Sequence, residues 1–279
     1  MDYKSLDVTC ILNKVKKMEK NKTALVTGTT SDIGIEICRI LLIKGYTLIN
    51  IDRDNKRALQ VKSKLKNEFP NSHIENYTAN LAESEDIKIV ADKIISQHEK
   101  LNVIFHNAGV LTATKTLNSS GVELHFAVNC LAPYLLTKHF MPLLHHANTA
   151  KVIVSGSGAS IMARVINVDQ LINPDKFKAM SGSYAQSKAS IKILFAYLQQ
   201  QNKSIEYSVV DLPPTKTKMA KSAAMSTFLK YFSFLFSSPK KSADKLYHSI
   251  NHFSLIKINK SQQDITKQLF QLVEKIQWK

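Results

Sequence analysis

An apolar strand that runs into a glycine turn and then directly into an apolar helix constrains this chain more than any other stretch. Thr23-Ala-Leu-Val-Thr27 reads as the strand, Gly28 opens the turn, and Gly34 leads into a helix over 35–44. Glycine lets backbone approach a ligand closely, and the first turn of a helix presents N–H groups that the helix itself leaves unpaired. Together they make the layout of a dinucleotide-phosphate site. An ordinary βα turn has the same outline, so the rest of the chain must decide. A second strand over 46–51 ends in Asp52-Arg53. A carboxylate there, about 20 residues past the glycines, fits acceptance from the ribose hydroxyls of an adenosine.

The same alternation continues. Helices are predicted over 56–69 and 83–98, strands over 73–79, 101–105, 151–155 and 205–211, and a long helix over 121–144 interrupted near Pro133. A further helix begins near Ser183, where Ile191, Leu194, Phe195 and Leu198 recur on one face. An edge strand over 253–258 and a closing helix over 261–278 complete the pattern. Strands alternating with helices of this length imply an α/β fold: a single Rossmann-type, doubly wound parallel sheet of about seven strands with helices on both faces. Residues 21–279 form one domain. Residues 1–20 are an extension whose Leu6, Ile11, Leu12, Val15 and Met18 recur at helical spacing among lysines. That spacing suits an amphipathic helix on a membrane, a surface helix packed on the body, or a frayed end.

Composition narrows the function. The formal net charge is +16, which favours nucleic acid, anionic lipid or a phosphorylated cofactor as partner, or simply makes a solvated lysine-rich surface. No nucleic-acid-binding motif accompanies the charge, so nucleic acid is not expected. Cys10, Cys38 and Cys130 lack metal-ligand spacing, so no metal is expected and a reducing, cytoplasmic setting fits. No apolar run reaches the roughly 18 residues of a membrane span, and no secretory signal is present. Contact with a membrane, if made, is peripheral. The stretch 225–236 is rich in Phe, Leu and Tyr and flanked by lysines. It reads as an ordinary amphipathic helix, a lid over an apolar substrate, or a membrane-facing patch.

The chemistry gathers at Tyr184-Ala-Gln-Ser-Lys188. Residues four apart on a helix share a face, so an ammonium lies beside a phenol. A phenol titrates near pKa ~10; a neighbouring cation stabilises its anion and makes it a usable proton donor and acceptor.

Read in order, these motifs resemble the short-chain dehydrogenase/reductase family over about residues 22–215, and FAVNCLAPYLLT with the long interval between Ser157 and Tyr184 is similar to the retinol-dehydrogenase-like branch. The family's Thr-Gly-x-x-x-Gly-x-Gly appears as Thr27-Gly28-Thr29-Thr30-Ser31-Asp32-Ile33-Gly34, and its Asn-Asn-Ala-Gly as His106-Asn107-Ala108-Gly109. The resemblance implies Asn129, Ser157, Tyr184 and Lys188 as the catalytic set. It implies a cofactor site of Gly28, Thr30, Ser31, Asp32, Ile33, Gly34, Asp52, Arg53, Asn80, Leu81, Asn107, Ala108, Gly109, Tyr184, Lys188, Pro213, Thr215 and Thr217. Hydride transfer between a nicotinamide and an alcohol or carbonyl of a hydrophobic small molecule follows as the expected activity. Asn129 would orient Lys188 through a water, and Lys188 would hold the nicotinamide ribose. NAD is favoured by Asp52; Arg53 stands where NADP users often keep an arginine. A homodimer or homotetramer through the helices carrying Asn129 and Tyr184 is implied too. Four positions depart from the pattern: Asp32 and Pro214 for glycine, His106 for asparagine, and Asn80 for aspartate. Asp32 would either place an anion near the pyrophosphate or cap the helix N–H groups itself. The departures also suit a second reading, a dinucleotide- or partner-binding protein without turnover.

Overall fold

The computed structural model describes residues 22–221, 223–224, 233–252, 255–258 and 260–277. Expectations for residues 1–20 and for most of 225–236 lie outside them. Six strands form one sheet: β1 (Thr23–Thr27), β2 (Thr47–Asp52), β3 (Ile74–Thr78), β4 (Val103–His106), β5 (Ala150–Ser157) and β6 (Ile205–Leu212). Their order is β3-β2-β1-β4-β5-β6, all parallel. β1 and β4 are neighbours in the sheet although β2 and β3 come between them in sequence. Chain connections therefore leave this pair in opposite directions, and a crevice opens at the carboxyl ends of the two strands.

The longer helices are α1 (Asp32–Ile43), α2 (Asn55–Glu68), α3 (Ser84–Gln97), α4 (Ala132–His139), α5 (Ala185–Gln201), α6 (Pro239–His248) and α7 (Lys260–Gln277). Because strand side chains alternate, each strand feeds both cores. Leu25, Ile104 and Val152 meet α3, α4, α5 and α7 on one face, while Val26, Phe105 and Ile153 meet α1, α2 and α6 on the other. Burying each large aliphatic side chain stabilises the fold by about 1.5–3 kcal/mol.

Of the predicted seventh strand over 253–258, only residues 255–258 are described. Residues 255–258 are not in a strand, and the Ile256 N–H donates to the Gln199 side-chain oxygen at 3.3 Å. Ile256 and Ile258 pack on the core instead. The segment thus lies over α5 rather than pairing with the free edge of β6. α7 covers the same side: Leu269 and Val273 are fully buried, the Tyr197 and Phe270 rings lie 4.7 Å apart, and Glu274 accepts from Tyr134 and Lys138 on α4.

The long helix expected over 121–144 is broken differently. It starts at Leu124, runs as a π-helix over Ala127–Leu131, continues as α4, and breaks at Phe140 before Met141–His145. Pro133 lies in the first turn of α4, directly after the π-helix, and lacks the N–H that would continue the helical ladder there. Residues Ala179–Tyr184 lead into α5 as a kinked turn in which Gly182 departs from helical geometry, with φ −105° and ψ −106°. Such wider turns concentrate at functional sites because they re-aim side chains; the π-helix carries Asn129, and the kinked turn ends at Tyr184.

Candidate active site

The glycine loop is held from three sides. Ser31 caps α1, its Oγ accepting from the Gly34 N–H at 3.1 Å. Gly28 has φ +71°, and a Cβ there would lie 2.8 Å from Ala108 Cα; glycine alone takes that conformation without strain and leaves room for the β4 loop. Asn107 then stitches the two loops together, its Nδ2 donating to Thr27 O, Gly28 O and Ser31 Oγ at 3.2, 3.0 and 3.1 Å. Thr27 Oγ1 accepts from the Asn107 and Ala108 N–H groups, both at 3.1 Å. The cradle that a dinucleotide needs, a glycine loop at a helix N-terminus beside the switch point, is therefore present.

Asp32 does not cap α1, because Ser31 does. Its Oδ2 instead accepts from the Lys218 N–H at 3.0 Å, a bond that joins the glycine loop to the segment after β6. Asp52 is also placed otherwise than expected. It is 3% exposed, with Oδ2 accepting a hydrogen bond from the Thr29 hydroxyl and Oδ1 one from the Thr30 N–H at 3.0 Å. Burial pushes its carboxyl above the ordinary range, and the Thr29 and Thr30 bonds oppose that. Its carboxylate faces the glycine loop rather than the surface. Arg53, the next residue, is exposed.

Further round the crevice, Asn80 receives the Ala82 N–H on its Oδ1 at 3.3 Å, and Leu81 is buried. Thr215 turns away towards α6, its hydroxyl bonded to Pro213 O and Ser242 Oγ at 2.8 and 2.7 Å. Thr217 Oγ1 accepts from the Ala220 N–H at 3.3 Å, which caps the short 3-10 turn Met219–Lys221. His106 is buried, with Nε2 2.9 Å from Thr137 Oγ1; burial pulls its pKa to about 3, so the ring stays neutral.

The residues expected to be catalytic gather near the carboxyl end of β5. Ser157 is its last residue and Tyr184 directly precedes α5. Burial raises the Tyr184 phenol, and the hydrogen bond with Ser157 lowers it. The Lys188 amine is buried, donates to Ser155 O at 2.7 Å, and lies 6.0 Å from the Tyr184 ring centroid. Burial pulls it down to about 8, so it still carries its charge at neutral pH. Asn129 Oδ1 accepts from the Val110 N–H at 2.8 Å, and its Nδ2 donates to Val110 O and Ser187 Oγ at 3.0 and 3.2 Å.

One position joins the two halves. A Cβ built on Gly109 would sit 3.2 Å from Asn129 Oδ1, 3.8 Å from Lys188 Nζ and 4.0 Å from Met219 Cε. The β4 loop that Asn107 ties to the phosphate cradle thus reaches the catalytic amine. Sequence reading passed over Thr27 and Thr29, whose hydroxyls organise the cradle, and over Glu123 and His125, fully buried beside Tyr184. The short Glu-x-His spacing was their only signal.

A glycine loop at a helix N-terminus beside the switch point thus lies on the same sheet edge as Ser157, Tyr184 and Lys188. Residues 22–226 match the short chain dehydrogenase family, and the chain belongs to it. Human polyprenol dehydrogenase is 28% identical over 218 residues, covering 75% of this chain and 65% of that protein. Human retinol dehydrogenase 13 is 27% identical over 193 residues, 69% of this chain and 58% of the relative. The chloroplastic short-chain dehydrogenase TIC 32 A of Brassica napus is 27% identical over 184 residues, 61% and 55% of the two chains. This chain therefore spans between half and two thirds of the length of these relatives. Among solved structures, a short-chain dehydrogenase from Sphingobium yanoikuyae in complex with NADPH superposes with a TM-score of 0.67 at 20% identity, covering 83% of this chain and 85% of that one. An alcohol dehydrogenase from Thermococcus sibiricus complexed with 5-hydroxy-NADP gives 0.64 at 20% identity, covering 82% and 90%. These share the fold. No described helix is long and apolar enough to cross a membrane, and no group of metal-ligating side chains occurs among the described residues.

Proposed function

We propose that this protein transfers a hydride between a nicotinamide dinucleotide and the alcohol or carbonyl carbon of a hydrophobic small molecule. The observation that carries the proposal is the meeting of Ser157, Tyr184 and Lys188, with the Lys188 amine beside Gly109 at the end of a loop tied to the glycine loop. The nicotinamide would supply the hydride chemistry, held by the Gly28–Gly34 loop and by Lys188. The remaining work falls to side chains of this chain. Tyr184 gives its phenolic proton to the substrate oxygen in reduction and takes it back in oxidation. Ser157 donates to that oxygen as negative charge grows on it. The Lys188 ammonium favours the phenolate that forms, and Asn129 fixes the Val110 backbone next to it. The test is oxidation of reduced cofactor with a panel of hydrophobic aldehydes and ketones. Cofactor binding without turnover of any of them would favour the rival reading of a binding protein on this scaffold.

The cofactor we propose is NADP(H). The preference for NAD rested on Asp52, and both of its oxygens are engaged by Thr29 and Thr30. With that carboxylate withdrawn, exposed Arg53 offers a fork suited to a 2′-phosphate. The NADPH and 5-hydroxy-NADP carried by two structural relatives point the same way. Arg53→Ala should weaken NADPH binding by roughly tenfold, the loss of one charge-assisted contact worth about 1.5 kcal/mol, and leave NADH unchanged. Equal loss for both cofactors in a binding titration would refute the assignment. Asp32→Asn keeps an acceptor for the Lys218 N–H while removing an anion from the diphosphate's surroundings. It should tighten either cofactor by a few-fold, the effect of one partly screened charge at a helix N-terminus. Unchanged affinity would show that the Asp32 carboxylate does not act on the diphosphate.

A further inference from the structure

Glu123 and His125 form a buried carboxylate–imidazole pair that the proposed chemistry does not use. Glu123 is 1% exposed and His125 0%. The pair is tightly specified. Glu123 Oε1 lies 2.7 Å from His125 Nδ1, while Oε2 accepts from the His125 and Phe126 N–H groups at 3.0 and 3.3 Å. The far ring nitrogen, Nε2, accepts from the Thr112 N–H at 3.0 Å. A nitrogen that accepts a backbone N–H carries no proton, so the proton sits on Nδ1 and is donated to Glu123. One tautomer and one ring orientation result.

The ring's faces and edges are as well defined. It stands edge-on to Tyr184, with centroids 6.1 Å apart and planes at 83°, and tilts against Phe177 at 5.9 Å. Three parts of the site thereby meet at one imidazole. Through Thr112 it anchors the loop whose Val110 is bonded to Asn129. Through Glu123 it joins the cap of the helical run that carries Asn129. By its own ring it walls the phenol. Burial of a carboxylate is costly unless every oxygen is partnered, and here both oxygens are.

We propose that Glu123 and His125 are positioning residues for the acid–base step, Glu123 locking the imidazole that holds the Tyr184 ring and the 110–112 loop in register. This rests on the hydride-transfer reading and concerns the same site. Misplacement of a reacting group by about an ångström can cost a hundredfold in rate, so a wall directly against the phenol has leverage that a remote packing residue lacks.

Among the described residues, the phenol faces Ser157 from β5, Lys188 from α5 and the His125 ring, with Glu123 behind that ring. Opening the wall admits water, which weakens the burial that raises Tyr184. The pH profile of kcat should then move in a direction set in advance.

The experiment measures kcat, the KM for cofactor and the pH profile with the best carbonyl substrate for wild type, His125→Ala and Glu123→Gln. His125→Ala should lower kcat by roughly tenfold to a hundredfold, leave the cofactor KM within about twofold, and shift the limb reporting the phenol to lower pH. Glu123→Gln retains an acceptor for Nδ1 and the volume, and should give a smaller loss of the same kind. His125→Gln, which restores an acceptor near Nε2 without the ring, should recover part of kcat and serves if the alanine variant does not fold. Folded variants with unchanged kcat and pH limb, beside an active wild type, overturn the positioning role alone. A wild type without turnover overturns the functional reading and this inference with it.

Discussion

Tyr184→Phe is expected to lower kcat by about 10²–10⁴-fold, the range that a positioned proton donor supplies, with the cofactor dissociation constant changed by less than about twofold. The substitution removes one oxygen and keeps the ring, so the edge contact with His125 survives. The deleted hydroxyl's partner, Ser157, also accepts from the Ala159 N–H at 3.2 Å, so it keeps a partner and the fold should persist. Lys188 loses nothing either, because its amine is anchored on Ser155 O. Single-turnover oxidation of reduced cofactor measures the first quantity and a fluorescence titration the second. Turnover within tenfold of wild type would remove Tyr184 from the proton-transfer role.

Gly34→Ala should disable the cradle itself. A Cβ at Gly34 would sit 2.2 Å from Gly28 O and 2.8 Å from Thr29 Cα, both backbone, and 3.0 Å from Asn107 Nδ2. No rotamer change relieves contacts with main chain, so the loop must move by roughly an ångström, taking the Asn107 bonds with it. Overpacking of this kind costs about 1–3 kcal/mol, a fall in Tm of roughly 2–12 °C for a domain of this size. Cofactor affinity should drop at least tenfold, because the displaced backbone is what would face the diphosphate. Gly45→Ala is the matched control. Gly45 has φ +77° with no atom near its missing Cβ, so the change strains the backbone by about 1–2 kcal/mol and should leave cofactor affinity alone. If both variants lose stability equally and both bind cofactor normally, the close approach at Gly34 does not shape the site.

Much of this was readable from the chain because it is local. The Val26-Thr27-Gly28 turn, the βα alternation and the four-residue step from Tyr184 to Lys188 each depend on neighbours in sequence, and each sits where its pattern put it. What was misplaced depends on contacts distant in sequence. Asp52 has the right position for a ribose contact, yet its side chain turns to Thr29 and Thr30 across the βα turn. No periodicity reports which way a carboxylate turns. Of the two roles open to Asp32, an anion near the pyrophosphate or a helix cap, the cap belongs to Ser31, and Asp32 accepts from the Lys218 N–H 186 residues on. The stretch at 255–258 has strand-like composition, and Gln199 on α5 takes its backbone N–H instead. The π-turn at Asn129 adds a residue to a helix without any change in apolar spacing that a 3.6-residue reading would detect. Glu123 and His125 went unnoticed for a related reason: two polar residues at the head of a helix look like a solvated cap until the fold encloses them.

The clasp of α7 on α4 and α5 has one more consequence. On those helices Tyr134, Lys138 and Tyr197 are engaged by Glu274 and Phe270 of the same chain. A single amphipathic segment thereby braces both of the helices that follow Asn129 and Tyr184.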